Sequence, residues 1–265
     1  MDETRSKERI HILVKAFPQP SQHYEETVCC AGLRERDGRL VRLYPIRYRH
    51  LPKDKKFSRY DTISAELWKP LNDTRPESFR VIEDSIMVEE KETAGRKLKI
   101  IQKWMSLKEN SMTELFEKNR TARQSIGIIK PDTSSLKFTW SSHAQSDASE
   151  RETTETLRRI QESIFDAPLP PLQKEYTFRY RFTSCGKSHT CQILDWEVQA
   201  AYYNYLTRYG DKALAKLQEQ YEKIIPQQNL HFIMGNTAAH QSNFSIIGVL
   251  RIKNKKSHPL QPELF

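Results

Sequence analysis

Short segments in which apolar and polar residues alternate dominate the first part of the chain and predict β-strands. The first segment covers residues 10–17 and ends at a proline, which disfavours continuation of a strand. Residues 27–34 and 39–46 lie on either side of Asp37-Gly38, a dipeptide that readily adopts the positive φ angles of a tight hairpin turn. Residues 60–68 alternate in the same way and predict a further strand.

Helical spacing of apolar residues replaces this alternation after residue 93. The apolar residues concerned are Leu98, Ile100, Ile101, Trp104 and Met105. Ser111 and Glu114 then have the spacing of a capping box at the start of a second helix, and residues 125–129 form another short apolar strand. Together these features predict a small N-terminal β barrel or curled sheet, closed by this last strand, with the helices packed against it.

A polar stretch over residues 141–156 carries almost no apolar side chain, which is typical of a linker. We therefore predict a β-rich basic domain over residues 1–140, a polar linker over residues 141–156 and a second domain over residues 157–265. A helix around residues 154–165 opens the second domain. Two domains also suit a chain of 265 residues, because domains usually contain roughly 100 to 200 residues.

The second domain has one strongly alternating segment, residues 176–182. Its aromatic residues Tyr176, Phe178, Tyr180 and Phe182 share one face, while Arg179 and Arg181 share the other. The aromatic face is expected to pack and the arginine face to contact solvent. Helices over residues 195–209 and 211–225, followed by strands over residues 230–234 and 244–253, predict an α+β domain with a short antiparallel sheet.

The charge pattern adds a candidate partner to this fold. The chain has 43 Lys and Arg residues against 34 Asp and Glu residues, a formal net charge of +9. Residues 34–59, which we call the basic segment, hold ten cationic and three acidic residues with apolar and aromatic residues between them. A folded basic surface attracts phosphate backbones through counterion release and long-range attraction. The basic segment therefore favours DNA or RNA as a partner, although an ordinary solvated surface shows charge runs as well.

Residue type strengthens the nucleic-acid interpretation. Arginine outnumbers lysine in the basic segment by seven to three, and its planar fork suits bidentate phosphate contact and stacking on bases. Tyrosines between the arginines provide rings on which unpaired bases stack. The residues that we predict to bind nucleic acid are Arg39, Arg42, Tyr44, Arg47, Tyr48, Arg49, Lys55, Lys56, Arg59, Arg179 and Arg181.

Two groups of residues are candidates for metal binding. Cys185, His189 and Cys191 lie within seven residues of one another and could supply three ligands to Zn²⁺, or they could form a β-turn with Cys191 in the core. Asp195 and Glu197 could hold Mg²⁺ as catalytic carboxylates of a nuclease. The position of Asp195 equally suits a helix N-cap. The sequence leaves both alternatives open.

Several function classes lack support in the sequence. We find no phosphate-binding G-x-x-x-x-G-K-[ST] loop, no G-x-G-x-x-G fingerprint and no G-x-S-x-G elbow. No apolar run approaches the ~18 residues that a membrane helix needs, and no secretory segment opens the chain. We expect a cytoplasmic protein with reduced cysteines and no membrane partner. Our primary hypothesis for its function is nucleic-acid binding. The alternatives are a metal-dependent nuclease and a subunit that binds an acidic protein partner.

Five short motifs carry a resemblance to other chains. They are Lys15-Ala16-Phe17-Pro18-Gln19-Pro20, Cys30-Ala31-Gly32, Arg42-Leu43-Tyr44-Pro45-Ile46, Arg75-Pro76-Glu77-Ser78 and Asp195-Trp196-Glu197. Together they resemble a group of bacterial hypothetical proteins over most of this length, which implies a prokaryotic origin and transfers no catalytic role. The barrel followed by helices is also similar to the PUA or ASCH type of nucleic-acid-binding fold. As a nucleic-acid-binding protein, the chain is expected to be an accessory or recognition factor in bacterial antiviral defence or nucleic-acid processing.

Overall fold

The computed structural model of the chain describes residues 5–21, 25–107, 109–142 and 175–252. These residues form two compact units that mix strands and helices. Unit 1 is built mainly from residues 5–104, and unit 2 is built mainly from residues 105–140 and 178–252. The predicted α+β class is confirmed.

The strands and helices follow one another in a simple order. Unit 1 contains β1 (Ser6–Lys15), β2 (Gln19–Ser21), β3 (Glu25–Arg34), β4 (Leu40–Ile46), β5 (Thr62–Trp68), β6 (Ser78–Val81), β7 (Met87–Glu90) and α1 (Ala94–Met105). Unit 2 contains α2 (Met112–Ala122), β8 (Ile126–Ile129), β9 (Asp132–Ser142), β10 (Tyr176–Ser184), β11 (Lys187–Gln192), α3 (Trp196–Tyr209), α4 (Ala213–Glu219), β12 (His231–Asn236) and β13 (Phe244–Leu250).

Five strands of unit 1 form a closed barrel. Their order is β1-β3-β4-β6-β5, and β5 pairs with β1 to complete the ring. Every neighbouring pair in the ring is antiparallel except β4 and β6, which run parallel. The short strand β2 extends β3, and β7 pairs with β5. The predicted N-terminal barrel is confirmed, and closure pairs both edges of what would otherwise be an open sheet.

Local sequence explains the barrel's hairpin and its filling. Gly38 closes the turn between β3 and β4 with φ +66°, a left-handed conformation that favours glycine. Gly32 is required for a different reason, because a Cβ there would lie 2.4 Å from the His11 carbonyl oxygen on β1. The barrel interior is filled by buried aliphatic residues that include Ile10, Ile12, Val14, Val41, Leu43 and Ile63. Two 3₁₀ turns, Tyr48–His50 and Lys53–Lys55, then lead the chain from β4 to β5.

Unit 2 contains two three-stranded sheets. Their orders are β11-β10-β9 and β13-β12-β8. A parallel bridge between Ile193 and Ile246 joins β11 to β13, and only Lys130 and Pro131 separate β8 from β9. The chain therefore runs through both sheets as one continuous ring of strands, with β12 and β13 antiparallel.

Aromatic side chains form the core of unit 2. Phe138 stacks on Phe178 with ring centroids 5.4 Å apart, and Tyr180 stacks on Phe232 at 5.1 Å. Phe178, Tyr180 and Phe182 are at most 1% exposed. The predicted packing of this aromatic face of β10 is confirmed. Aromatic pairs of this kind stabilise a core by about 0.5–1.5 kcal/mol each beyond the area that they bury.

Helix starts follow the predicted capping signals. The Glu114 amide donates to Ser111 Oγ at 3.1 Å, and the Ser111 amide donates to a Glu114 carboxylate oxygen at 2.7 Å, so α2 begins with a full capping box. The predicted helix over residues 211–225 is interrupted. It consists of a 3₁₀ turn, α4 and a π-helical turn, Gln220–Ile224, that ends before Pro226. In the described residues, no helix is both long and apolar enough to cross a membrane.

The division between the units differs from the predicted domain ranges 1–140, 141–156 and 157–265. The strand expected to close the barrel is β8, which instead pairs with β12 of unit 2. The capping-box helix α2 also belongs to unit 2. A four-residue strand carries no signal of its distant partner, and its pairing is therefore decided by the tertiary fold. The predicted helix over residues 154–165 and the linker beyond residue 142 lie outside the described residues.

Candidate nucleic-acid interface

The outer face of β4 presents an exposed aromatic ring with an arginine on each side along the chain. Tyr44 is 42% exposed, and its hydroxyl accepts a hydrogen bond from Thr27 Oγ1 on β3 at 3.3 Å. Arg39 precedes β4 and Arg47 follows it, and their side chains are 81% and 52% exposed. We call Thr27, Arg39, Tyr44 and Arg47 the Tyr44 face. A ring and two guanidinium groups offer stacking and phosphate contact together.

Acidic residues balance much of the charge of the basic segment. The ion pairs are Arg34–Asp37, Arg36–Glu8, Arg39–Asp37, Arg47–Glu83, Arg49–Glu26 and Lys55–Asp84, with N···O distances between 2.5 and 3.9 Å. Four of the five acids lie outside the basic segment, and the fifth, Asp37, lies at the turn between β3 and β4. Counting charges along the segment therefore overstates the positive charge of the folded surface. The Tyr44 face keeps its arginines exposed in spite of these pairs.

Two residues predicted to contact nucleic acid are buried instead. Arg42 is 2% exposed, its amide donates to the Glu77 carbonyl at 2.8 Å, and burial lowers the pKa of its guanidinium. Tyr48 is 9% exposed, packs edge-on against Phe57 and donates its hydroxyl hydrogen to the Phe57 carbonyl. The predicted surface position is wrong for both residues. The loop that precedes β6 packs beside Arg42, and the 3₁₀ turn after β4 directs Tyr48 inward.

The remaining cations of the predicted set lie on the segment that connects β4 to β5. Arg49, Lys55, Lys56 and Arg59 are all half-buried. The Arg49 guanidinium contacts Glu26 at 2.7 Å, and Lys55 Nζ donates to the Asp84 carbonyl at 2.7 Å. Sequence reasoning missed Lys53, which is exposed on the second 3₁₀ turn. Its neighbours in the segment carried the same charge signal, but only the fold distinguishes the exposed cations from those that hold the turn.

A second group of polar residues fixes the loop over residues 69–77. Arg75 is 4% exposed and makes side-chain hydrogen bonds to the Asp73 carboxylate at 2.8 and 2.7 Å. Lys69 Nζ donates to the Ser78 carbonyl at 2.9 Å and to the Arg75 carbonyl. Burial acts to raise the pKa of Asp73, but the hydrogen bonds and charge of Arg75 outweigh it and lower the pKa to about 2. The spacing Asp73-Thr74-Arg75 was the available sequence signal for this network.

The predicted arginines of unit 2 lie on the outer face of β10. Arg181 is exposed and Arg179 is half-buried. The register places Arg181 opposite Thr190 of β11, and Arg181 Nε donates to Ser188 Oγ at 3.4 Å. In the described residues no carboxylate lies within 4 Å of Arg181. The outer face of β10 therefore contacts solvent at Arg181, as expected. Arg181 is not paired with a carboxylate of the described residues, whereas Arg47 and Arg49 are paired with Glu83 and Glu26.

Two of the three candidate zinc ligands in the β10–β11 hairpin, His189 and Cys191, pack inward. Cys185 is exposed in the turn, whereas His189 and Cys191 occupy inward positions of β11, with His189 beside the Phe182 ring at 5.8 Å. Burial lowers the pKa of His189 and raises the pKa of Cys191 to about 11. Over the described ranges, no group of three or more His, Cys, Asp and Glu side chains is placed to hold a metal ion. All four cysteines of the chain are free thiols.

Asp195 is a structural residue of unit 2. It is 1% exposed, one carboxylate oxygen accepts from the Glu197 amide at 3.0 Å, and the other accepts from the Val249 amide at 2.7 Å. The carboxylate therefore caps α3 and ties this helix to β13. The N-cap interpretation is confirmed. Glu197 lies in the first turn of α3, where its charge complements the helix dipole.

Two family models match consecutive parts of the chain. One, described as Domain of unknown function (DUF8758), matches residues 6–106, and the other, Domain of unknown function (DUF8757), matches residues 108–265. The border between them agrees with the border between unit 1 and unit 2. No curated protein matches the chain. Since the second model alone covers more than half of the chain, the protein belongs to the DUF8757 family.

Proposed function

We propose that the protein binds single-stranded nucleic acid, DNA or RNA, on the Tyr44 face of unit 1. The observation that carries this proposal is the exposed ring of Tyr44 on a strand flanked by the exposed guanidinium groups of Arg39 and Arg47. Bases stack on aromatic rings whatever their identity, and guanidinium groups contact phosphates. An unpaired strand offers both chemistries, whereas a duplex keeps its base faces inside.

The spacing of the face suits several nucleotides. Arg39 and Arg47 lie eight positions apart, one before and one after β4, so that full extension sets an upper limit of about 26 Å at 3.3 Å per residue. A barrel of this size typically covers a site of roughly four nucleotides or more. Phosphates at the two ends and a base on Tyr44 between them account for all the exposed groups of the face.

The strand order of the barrel supports the same partner. A five-strand ring in the order β1-β3-β4-β6-β5, with β4 and β6 as its one parallel pair, has the Greek-key order of the OB-fold. That fold binds oligonucleotides on the face of its second and third strands, which correspond to β3 and β4. PUA and ASCH barrels also bind nucleic acids, and we propose the OB-fold comparison in preference because of the strand order. This support is a fold-level analogy, and the Tyr44 face carries the proposal.

Ion pairing does not prevent phosphate binding at this face. The Arg47–Glu83 pair is exposed on the arginine side, and exposed pairs stabilise a protein by about 0–1 kcal/mol. A phosphate group can therefore replace Glu83 as the partner of the Arg47 guanidinium group with little loss of free energy. Arg39 lies 3.9 Å from Asp37, which is the longest of the pairs in the segment. Both arginines are therefore free to exchange partners when a strand binds.

A charge-neutralising double variant tests the phosphate contacts. We expect Arg39→Gln with Arg47→Gln to weaken binding of a fluorescent single-stranded 12-mer about tenfold at low salt, in anisotropy titrations. The slope of log K against log salt should also fall by about 1.4, since each lost phosphate contact removes about 0.7. Lys99→Gln with Lys212→Gln is the matched control, because both lysines are exposed and belong to other elements, α1 and the 3₁₀ turn before α4. Equal losses in the two double variants would refute the proposal.

Aromatic substitution tests the stacking contact separately. Tyr44→Ala should weaken binding by roughly 5- to 150-fold, since stacking of one base contributes about 1–3 kcal/mol, with no change in the salt slope. Tyr44→Phe keeps the ring, loses only the hydrogen bond from Thr27, and should bind like the wild type. If Tyr44→Phe and Tyr44→Ala lose affinity alike, stacking is not the contact. Cleavage of the 12-mer in Mg²⁺ or Mn²⁺ would favour the nuclease alternative, and absence of any strand binding would favour an acidic protein partner.

A further inference from the structure

We infer that unit 2 carries a second nucleic-acid site, on the outer face of the β9-β10-β11 sheet, which contacts the sugar-phosphate backbone and not the bases. The inference rests on the proposed partner class and adds a separate surface with a different chemistry. We call this surface the sheet face. Its main residues are Lys137 of β9, Arg179 and Arg181 of β10, and Ser188 and Thr190 of β11.

The pleat of the hairpin separates two sets of side chains. Tyr180 pairs with Cys191 and Phe182 pairs with His189, and these residues point toward the core or the hairpin's inner side. Arg179 pairs with Gln192, Arg181 with Thr190 and Thr183 with Ser188, and they lie on the opposite side because successive residues of a strand alternate. Arg181, Ser188 and Thr190 are exposed.

The adjacent strand β9 continues the same face. Leu136 and Phe138 are buried, whereas Lys137, Thr139 and Ser141 between and beyond them are exposed. All outward positions of the three strands are therefore Ser, Thr, Gln, Lys or Arg. Aliphatic and aromatic residues are confined to the inward positions of these described strands.

Acids are almost missing from these strands. Asp132, at the very start of β9, is the one Asp or Glu in the described strands β9, β10 and β11, and its carboxylate accepts from Ser134. Lys137 contacts Glu222 at 3.0 Å, but Arg181 donates to a serine hydroxyl. The sheet face thus differs from the basic segment, in which Arg34, Arg36, Arg39, Arg47 and Arg49 each lie within 4 Å of a carboxylate oxygen.

The side chains of the sheet face suit the sugar-phosphate backbone of a nucleic acid. Arginine, lysine, serine and threonine are the side chains that donate hydrogen bonds to phosphate and sugar oxygens and carry no sequence information by themselves. Stacking on this face is absent, because no outward position of the described strands holds an aromatic ring. The partner is therefore a nucleic-acid backbone, recognised without regard to base.

An abasic phosphodiester 12-mer removes the base that stacks on Tyr44 and keeps the phosphates that both faces contact. Wild-type protein should bind this probe in anisotropy titrations, Arg181→Glu should weaken that binding about tenfold, and Tyr44→Ala should leave it unchanged. Arg179→Gln with Arg181→Gln gives a milder check that avoids placing an acid on the sheet. Circular dichroism verifies that each variant is folded, and Lys99→Glu is the control for a change of two charges.

The outcomes distinguish the inference from the proposed function. If Arg181→Glu binds both the abasic probe and a normal 12-mer like the wild type, while Arg39→Gln with Arg47→Gln loses the normal 12-mer, the sheet face is refuted and the Tyr44 face stands. If Arg181→Glu loses binding of both probes while Arg39→Gln with Arg47→Gln binds them like the wild type, the site on the Tyr44 face is refuted and the site on the sheet face is supported. Failure of wild-type protein to bind either probe refutes both.

Discussion

Unit 1 and unit 2 have the same strand order but use their cations differently. In unit 2, β8 and β9 together occupy the place of β1, β10 and β11 those of β3 and β4, and β12 and β13 those of β5 and β6. The parallel β4–β6 contact has its counterpart in the parallel bridge from Ile193 to Ile246. The connection from β4 to β5 contains two 3₁₀ turns, and the corresponding connection from β11 to β12 contains the longer helices α3 and α4.

The difference between the units lies in what surrounds each guanidinium group. Arg34 and Arg75 of unit 1 are buried and bonded to Asp37 and Asp73, so they fix a turn and a loop. Arg181 of unit 2 stands in solvent beside a serine. Desolvation of a buried charge is costly, and a bonded carboxylate offsets that cost for Arg34 and Arg75, whereas an exposed cation remains solvated. Arg34 and Arg75 therefore stabilise unit 1, whereas Arg181 of unit 2, like the exposed Arg39 and Arg47 of unit 1, has its guanidinium group in contact with solvent.

The largest expected effect comes from removing a buried cation of unit 1. Arg75→Met leaves the Asp73 carboxylate, whose side chain is 17% exposed, without its partner, and should lower the free energy of unfolding by about 3 kcal/mol. Arg181→Met is the matched change in unit 2 and should alter the free energy of unfolding by less than about 0.5 kcal/mol. Urea denaturation followed by circular dichroism measures both. A loss below about 1 kcal/mol for Arg75→Met would break the comparison.

The loss of stability at acid pH should also differ between Arg75→Met and Arg181→Met, by a smaller amount. The pKa of Asp73 in the folded protein is about 2, below the ordinary value of 3.8. Its contribution to stability is therefore complete above about pH 4 and is lost as the pH falls through this range toward 2. Between pH 5 and pH 2.5, wild type and Arg181→Met should lose stability in parallel, while Arg75→Met loses less. Three parallel curves from denaturant titrations would contradict the assignment of the shift to Arg75.

The smallest expected effect concerns ion pairs at the surface. The Arg49–Glu26 pair is half-buried, with side chains 16% and 17% exposed, and a double-mutant cycle with Met and Gln should give a coupling of about 1 kcal/mol. The helical pair Lys216–Glu219 of unit 2 is 49% and 47% exposed, and its coupling should be too small to measure and vanish in salt. Equal couplings at the two pairs would show that burial does not set their difference.

Local signals predicted the elements better than their partners. The Asp37-Gly38 turn, the capping box at Ser111 and the alternation of β10 each depend on residues close in sequence, and the structure has all three. Whether β8 belongs to unit 1 or unit 2 depends on its pairing with β12, about 100 residues away. The predicted boundary near residue 140 therefore differs from the border between the units. The candidate site shows the same limit. Arg47 and Arg49 were found as cations, but their partners Glu83 and Glu26 lie 36 and 23 residues distant.

The sequence by itself determined the α+β class, the barrel hairpin, the helix caps and the excess of positive charge, because propensity, turn chemistry and composition act over a few residues. Only the tertiary structure decided that Arg42 and Tyr48 are buried, that Asp195 ties α3 to β13, and that Tyr44 and Arg181 face solvent. Burial and ion pairing depend on which distant segments pack together. The number of cations could therefore be read from the chain, but their availability to a partner could not.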